Sequence, residues 1–563
     1  MKGNWLTANI LIIFVNIQTI QIMRSVRELS LLYILVSITG CADNSSFQTT
    51  ESRQYFEQAE RNGIIANEGF NRCLRFTNGW LALTDPVTGL IPRNINDSVS
   101  KDIWNAKDCA ADNYPFMVLT SGILDQELFT GKMAEMLKTE IRLTSRLGSL
   151  PDTYSFSKKG FANNDTIISD IIFGSAEYVK DGLIPLTEWL GPSPWSDRMI
   201  SIVEEAWNLA YLKSPFGNII SDDPEVNGDM LQSLSRIYWM TGNKKYLEYA
   251  IRLGDYYLLG NNHPTRNFKV LRLRDHGCEI VSGLCELYAT VAYADPQKKA
   301  AYKAPVHDML DRILEVGRNE DGLFYNSIDP VKGESVNGEI ADNFGYTLNG
   351  FYTVYLLDRD EKYRDAVIKA NGILNEKYRN YAWEGTSSDG YADAIEGALN
   401  LYTREPLDET RQWIDSEISV MWNKQQPSGI IEGWHGDGNF ARTTIMYCLW
   451  KTQGTYLAPW NDGLNIGAVQ ADSILYLTIS SEKDWEGKLM TDRKRHKEFL
   501  HLPFDWPRIN QFPEYFTVEK EKNYRIKTEN GRKEVIISGE ELQKGYQLKL
   551  SKGEKVRMTI ELM

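Results

Sequence analysis

One pattern constrains this chain more than any other. Between residues 67 and 481, helical hairpins recur at a spacing of roughly 50 to 65 residues, the mark of an array whose repeats bury their apolar faces on one another. First helices start near Ala111, Thr166, Glu225, His276, Ala341, Asp389 and Gly438. Each has a partner segment: 128–147, 196–213, 243–259, 298–318, 361–379, 407–424 and 463–481. The first helices are apolar and carry interior glycines at Gly122, Gly228, Gly283, Gly350 and Gly397. Glycine costs a helix about 1 kcal/mol against alanine, so its presence there points to crowded helices in close approach. The partners are far richer in charge, as a solvated outer face requires. Inner helices with outer partners close into a mainly α fold, an α/α toroid of six or seven hairpins.

The chain ends differently. Residues 514–518, 524–528, 534–538, 546–550 and 556–560 alternate apolar and polar side chains between turns such as Asn530-Gly531 and Lys552-Gly553, which predicts a small antiparallel β module. It begins with a targeting pattern. Arg24 and Arg27 precede an apolar run over 31–38, and Ile38-Thr39-Gly40-Cys41 resembles a bacterial lipobox in which Cys41 is lipidated. Residues 1–41 are therefore expected to direct export, 42–60 to form a tether, 61–481 a catalytic toroid, and 482–563 a linker and β module. The expected product is an exported lipoprotein anchored to a membrane by lipid. No later segment reaches the roughly 18 apolar residues of a membrane span.

Composition narrows the partners. A net charge of −14 argues against nucleic acid, whose phosphates need clustered Lys and Arg. Fifteen Trp and 29 Tyr fit a carbohydrate partner, because the C–H faces of a sugar ring pack flat on aromatic rings. Beyond Cys41, Cys73, Cys109, Cys278, Cys285 and Cys448 are scattered without a Cys-x-x-Cys pair, so neither a zinc site nor a disulfide framework is indicated. No nucleotide, dinucleotide, zinc-protease or serine-hydrolase motif occurs, and no metal or cofactor is expected.

Chemistry gathers at the starts of the first helices, which a toroid would bring to one rim. Ala111-Asp112-Asn113 and Ala341-Asp342-Asn343 repeat one tripeptide, and His276-Gly277 and His435-Gly436 repeat a dipeptide. The densest stretch, 429–442, holds Glu432, Trp434, His435, Asp437, Asn439 and Arg442. Glycoside cleavage needs two carboxyl groups, and Asp112 and Asp342 lead the candidates, followed by Glu279, Glu432 and Asp437. His276, His435, Arg442, Arg274, Asn113, Asn343 and Asn439 are expected to hold substrate hydroxyls or a substrate carboxylate. Trp434, Trp104, Tyr346 and Tyr391 are expected to supply stacking faces. Asp389 and Asp223 read as helix caps.

A lipobox followed by serial helical hairpins, acidic helix starts and a terminal β module resembles the six-hairpin α/α-toroid glycosidases and polysaccharide lyases of Bacteroidetes-type glycan degraders, over residues 60–563. The unsaturated-glucuronyl hydrolases and β-glucuronidases of that group are similar in kind, which implies a uronic-acid-containing substrate. Asp437-Gly438-Asn439-Phe440 is similar to the Asp-Gly-Ser-Phe of some toroid lyases, with Asn for Ser and no Gln-His after it. Three readings follow. The first is a glycoside hydrolase working through paired carboxylates. The second is a lyase using His435, Tyr346, Arg442 and Asn439 for β-elimination. The third is a surface glycan-binding lipoprotein without catalysis. The surplus of carboxylates favours the first.

Overall fold

The computed structural model describes residues 49–529 and 534–563. The export segment, Cys41 and the Asn530-Gly531 turn lie outside the described residues. Residues 55–563 form one compact unit; of the unit before it, residues 49–54 are described and open the first helix.

That helix, α1, spans Thr50–Leu81. Inner and outer helices then alternate. Inner α2 (Tyr114–Leu124) follows a π-helical stretch over Ala106–Asn113, and outer α3 (Ala134–Thr144) returns. Inner α4 (Ile168–Glu177) passes through another π-helical stretch, Tyr178–Leu183, into α5 (Ile184–Leu190), with α6 (Pro194–Asn208) outside. The next pairs are α7 (Pro224–Thr241) with α8 (Lys244–Gly254), and α9 (Glu279–Ala294) with α10 (Pro296–Val316). Then come α11 (Phe344–Asp358) with α12 (Glu361–Lys377), and α13 (Ser388–Tyr402) with α14 (Asp408–Trp422). The last inner helix is α15 (Asp437–Lys451). Each inner helix packs on the next, and α15 packs back on α2. The fold is a closed α/α toroid, with seven inner helices among the described residues.

The inner helices are buried nearly all round, as apolar helices in a crowded ring must be. Glycines permit the closest contacts. A Cβ on Gly345 would stand 2.4 Å from the Gly397 Cα, and one on Gly228 would stand 2.4 Å from the Glu279 carbonyl carbon. These obstacles are backbone and cannot rotate away. Gly345→Ala is therefore expected to destabilise the chain by roughly 1–3 kcal/mol through overpacking, outweighing the gain of about 1 kcal/mol in helix propensity. Gly122 differs: a Cβ there would meet Phe129 at an ordinary 3.5 Å. Gly122→Ala should be neutral or mildly stabilising, and urea midpoints of the two variants check the contrast.

The seventh partner departs from expectation. Residues 463–481 do not form a helix. They hold an antiparallel hairpin of β2 (Leu464–Ala471) and β3 (Ile474–Ser481), which follows a short β1 (Tyr456–Ala458). Leu464, Ile466 and Ala468 are buried at every second position, a strand period, and Asp472 takes a left-handed turn conformation at φ 53°. The outer place beside α15 is filled by α1, whose Cys73 Sγ lies 3.7 Å from the Ala441 carbonyl. Residues 50–60, expected in the tether, are already helical.

The other strands after residue 456 are β4 (Trp485–Met490), β5 (Asn523–Thr528), β6 (Glu534–Ser538), β7 (Tyr546–Leu550) and β8 (Lys555–Leu562). They form two antiparallel sheets, in the orders β2-β3-β8-β5-β6 and β1-β4-β7. Segment 514–518, expected as a strand, is irregular apart from a bridge at Thr517. The sheets lie against the toroid wall: Gly467 and Gly63 meet back to back, and Asn62 Nδ2 donates to the Ala468 carbonyl at 2.9 Å.

Between the sheets' strands, residues 499–513 cross the end of the ring opposite the helix starts. Trp506 Nε1 donates to Glu286 of α9 at 3.1 Å, and Arg508 pairs with Glu188 of α5 at 2.7 Å. Arg404, just beyond α13, pairs with Asp505 at 3.2 Å. The bore is thereby closed at one end and open at the other.

Candidate active site

The open end is where the inner helices start, and capping fixes several starts. Asp223 accepts from the Glu225 N–H at 2.9 Å and caps α7, as its position suggests. Ser387, not Asp389, caps α13, accepting from the Gly390 N–H at 2.9 Å. Asp389 is thereby free to face the cleft, where Asn439 Nδ2 donates to it at 2.7 Å.

Beneath the cleft, one buried cation ties the helices together. Arg442 Nη2 pairs with Asp393 at 2.6 Å, and its Nε lies 2.9 Å from Glu396. Its Nη1 donates to Asn439 at 2.9 Å and to Asn510 at 3.0 Å. The Tyr346 hydroxyl lies 2.9 Å from Asp393 and 2.8 Å from Glu396. Burial pushes Glu396 up to about 7 even against the pull of Arg442.

A second cluster comes from the middle of an inner helix. Lys180 Nζ sits 2.8 Å from Asp181, 3.3 Å from Glu279 and 3.9 Å from Asp229. Burial opposes ionisation of Asp181, but Lys180, a hydrogen bond from Glu177 and Arg442 together hold it below the ordinary carboxylate range. Asp112 goes the other way. Burial, followed by the charges of Asp181 and Asp108, drives it well above its ordinary value. Its side chain keeps 22% of its surface open to the cleft. Asp389 is raised likewise, by burial and by Asp393, Glu384 and Asp112. Asp342 is pushed up to about 8, mainly by burial and Asp393, although Arg274 Nε is 3.4 Å away.

The two His-Gly histidines are opposites. His276, 45% exposed and in a left-handed backbone at φ 62°, contacts Glu225 through Nδ1 and lies 3.0 Å from Asp275 through Nε2. Desolvation is overcome by the bond to Glu225 and by Asp275, and its pKa rises to about 10. His435, which lies 3.4 Å from Asp108 and 4.0 Å from Asp112, is pushed by burial down to about 4 and is neutral at pH 7. Glu177, Glu225 and His276 also place ligand-type atoms within 4.8 Å of one another, the one grouping with metal-ligand spacing among the described residues. With His276 protonated and paired with Glu225, those atoms satisfy each other.

Several expected roles change. Asp437 is fully buried and accepts backbone N–H groups from Ile431, Glu432 and Gly433 and the Trp80 indole N–H, so it clamps its own loop. Glu432 accepts from the Ser388 N–H at 3.0 Å and the Trp434 indole at 3.1 Å. Trp104, Tyr391 and Tyr346 are 2%, 3% and 4% exposed and offer no stacking face. Asn113 and Asn343 are wholly buried behind their aspartates, and Glu279 and Asp342 are nearly so. Asn439 and Arg442 bind protein carboxylates, and Arg274 pairs with Asp342 and Glu384. Trp434 is half-buried, edge-on to His435 at 4.7 Å.

Lys180 and Asp181, which the helix-start rule overlooks, lie on the cleft floor. Their signal is visible once sought: charges at 177, 180 and 181 interrupt the otherwise apolar run 171–186 at helical spacing. Beside the floor a cavity of about 1100 Å³ opens between the loops near Lys107, Thr153 and Asp222. Phe173 and Tyr211 line it, and the Phe173 ring lies 6.5 Å from that of His276, at the margin of the acidic floor.

No protein-family model and no curated protein matches the chain. Among solved structures, an α-1,6-mannanase from Salegentibacter sp. is similar at 13% identity and a TM-score of 0.39, covering 55% of this chain and 96% of its own. A family 76 glycoside hydrolase (mannosidase) from Bacteroides thetaiotaomicron is similar at 10% identity and 0.39, over 68% and 99%. An unsaturated glucuronyl hydrolase specific for heparin is similar at 12% identity and 0.33, over 49% and 86%. Likenesses of this size assign no chemistry, and the toroid rests on its own helix packing.

Proposed function

We propose that the chain is a glycoside hydrolase acting on a neutral oligosaccharide, with Asp112 as general acid and Asp181 as its ionised partner. The observation that carries this reading is the pair itself. Two carboxyl groups on adjacent inner helices face one cleft, one driven up and the other held down. Cleavage needs a protonated carboxyl to supply a proton to the leaving oxygen, and a carboxylate across the sugar ring. Asp181 then takes the proton of the attacking water or bonds the anomeric carbon itself. The cavity beside the floor has room for further sugar units, with Tyr211 and Phe173 as apolar faces.

Ion pairing supports a neutral sugar over the uronate implied by resemblance. Arg442, Arg274, Lys180 and the protonated His276 are each paired with two carboxylates or more. The floor offers a uronate little that is not already taken. The elimination reading weakens for the same reason, and the Tyr346 hydroxyl is enclosed by Asp393 and Glu396. Export through the Cys41 lipobox would put the enzyme where polymeric glycans are met.

A panel of matched neutral and uronate-bearing oligosaccharides, with products weighed by mass spectrometry, tests this reading. Fragments that have gained water, from neutral substrates, are expected. Turnover confined to uronates would overturn the neutral assignment, unsaturated products would overturn hydrolysis, and binding without turnover would leave a glycan-binding protein.

A further inference from the structure

The geometry points to Asn510, on the segment that closes the bore, as the residue that positions Asp181. This inference rests on the reading of Asp181 as the ionised member of the pair. Asn510 Nδ2 donates to Asp181 Oδ1 at 2.7 Å. Its Oδ1 accepts from Arg442 Nη1 at 3.0 Å, and its backbone N–H donates to Glu396 Oε1 at 2.7 Å. The amide can face only one way: a guanidinium only donates, so Oδ1 must meet Arg442, and the amino group is left for Asp181. One residue, 97% buried, thus touches three inner helices or their continuations at once.

The backbone is chosen for this. Asn510 adopts φ 58°, a left-handed conformation that Asn tolerates better than most residues and Gly better still. Trp506 and Arg508, a few residues before it, are tied to Glu286 and Glu188, so the segment cannot drift out of the bore. The strands on either side of this segment belong to the two C-terminal sheets. The part of the chain that resembles a mere appendage in sequence therefore supplies the underside of the catalytic floor, and Asp181 depends on it.

The physical consequence is specific. Asn510 stabilises the carboxylate form of Asp181 by donating to Oδ1, the oxygen that Lys180 Nζ also meets at 2.8 Å. Asn510→Gly keeps the left-handed backbone and the N–H to Glu396 but deletes the donor. Asn510→Asp keeps the shape and replaces the donor by a charge. Two readouts are needed. Isotope-edited infrared titration of labelled aspartate carboxyls, with Asp181→Asn to assign the band, reads Asp181 without any substrate. The pH dependence of kcat/KM reads its use. Asn510→Gly is expected to raise the Asp181 titration and the acid limb of the profile together by about one pH unit, and Asn510→Asp to raise both further. A purely structural role would lower stability without moving either. If Asn510→Gly does not fold, Asn510→Asp alone decides. An unmoved Asp181 titration overturns the inference even if turnover falls. A moved titration in a chain that cleaves no sugar upholds it and sinks only the hydrolase reading.

Discussion

Asp112→Asn is expected to lower kcat by about 10²- to 10⁴-fold, the usual contribution of a general acid, while leaving helical circular dichroism unchanged. The amide is isosteric with the protonated carboxyl, the form that burial favours at Asp112. Nothing in the packing is disturbed; only the proton is missing. Substrates with a good leaving group, which need no protonation, should be spared most of the loss. Asp181→Asn should cost as much on every substrate, and the double variant little more, because the two act as a unit. The pH profile follows in sign. On the proposed mechanism activity requires Asp181 ionised, and its pKa is held down, so the acid limb lies below the ordinary carboxylate range. Activity also requires Asp112 protonated, and its pKa is raised, so activity is lost only as pH climbs through that raised value. Stopped assays from pH 3 to pH 10 check both limbs. Asp342→Asn is expected to be milder, because a carboxyl only 4% exposed cannot reach a glycosidic oxygen.

Arg442→Met carries the largest expected loss of stability, about 3–5 kcal/mol at pH 8, the cost of leaving buried carboxylates without their cation. Asp393 and Glu396 would both be stranded, since Arg442 is the ion-pair partner of each. Without it the Glu396 pKa in the folded state rises further above that in the unfolded chain. Groups raised in this way contribute stability that is intact below their unfolded pKa, near 4, and lost as pH rises through the folded value. The deficit should therefore be small at pH 5 and grow to pH 8. Parent Glu396 already sits at about 7, so the crossover falls within an accessible range. Adding Glu396→Gln should recover part of the loss. Denaturant midpoints at the two pH values measure it, and a deficit independent of pH would mean that packing, not charge, is what Arg442 supplies.

What could be read before the structure follows from where each signal is stored. Helix starts near Ala111, Glu225, Ala341 and Asp389 announce themselves because a polar loop turns abruptly into an apolar helix, and helical order is local. The hairpin at 464–481 is less legible, because Leu464, Ile466 and Ala468 fit a strand only when their period of two is weighed against the spacing of the helical repeat. The site is less legible, for a physical reason. Polar residues at a crowded rim bind one another first. Asp437 spends its oxygens on three backbone N–H groups, Tyr346 on two carboxylates, and Arg442 on four partners. Which of them faces solvent is decided largely by contacts between helices 46 to 50 residues apart. Asp181 and Asn510 are hidden differently, one inside a helix and the other in an irregular segment, and their meeting at 2.7 Å spans 329 positions of sequence. No local rule reaches that far.

On the proposed mechanism, Asp112 and Asp181 split a glycosidic bond with water. Digestion of a cleavable oligosaccharide in heavy-oxygen water, followed by mass spectrometry of the first products, tests it most directly. One heavy oxygen is expected at the new reducing end with the parent chain, and no labelled product with Asp181→Asn over the same interval. Products that carry no heavy oxygen, or labelled products formed equally fast by Asp181→Asn, would contradict it.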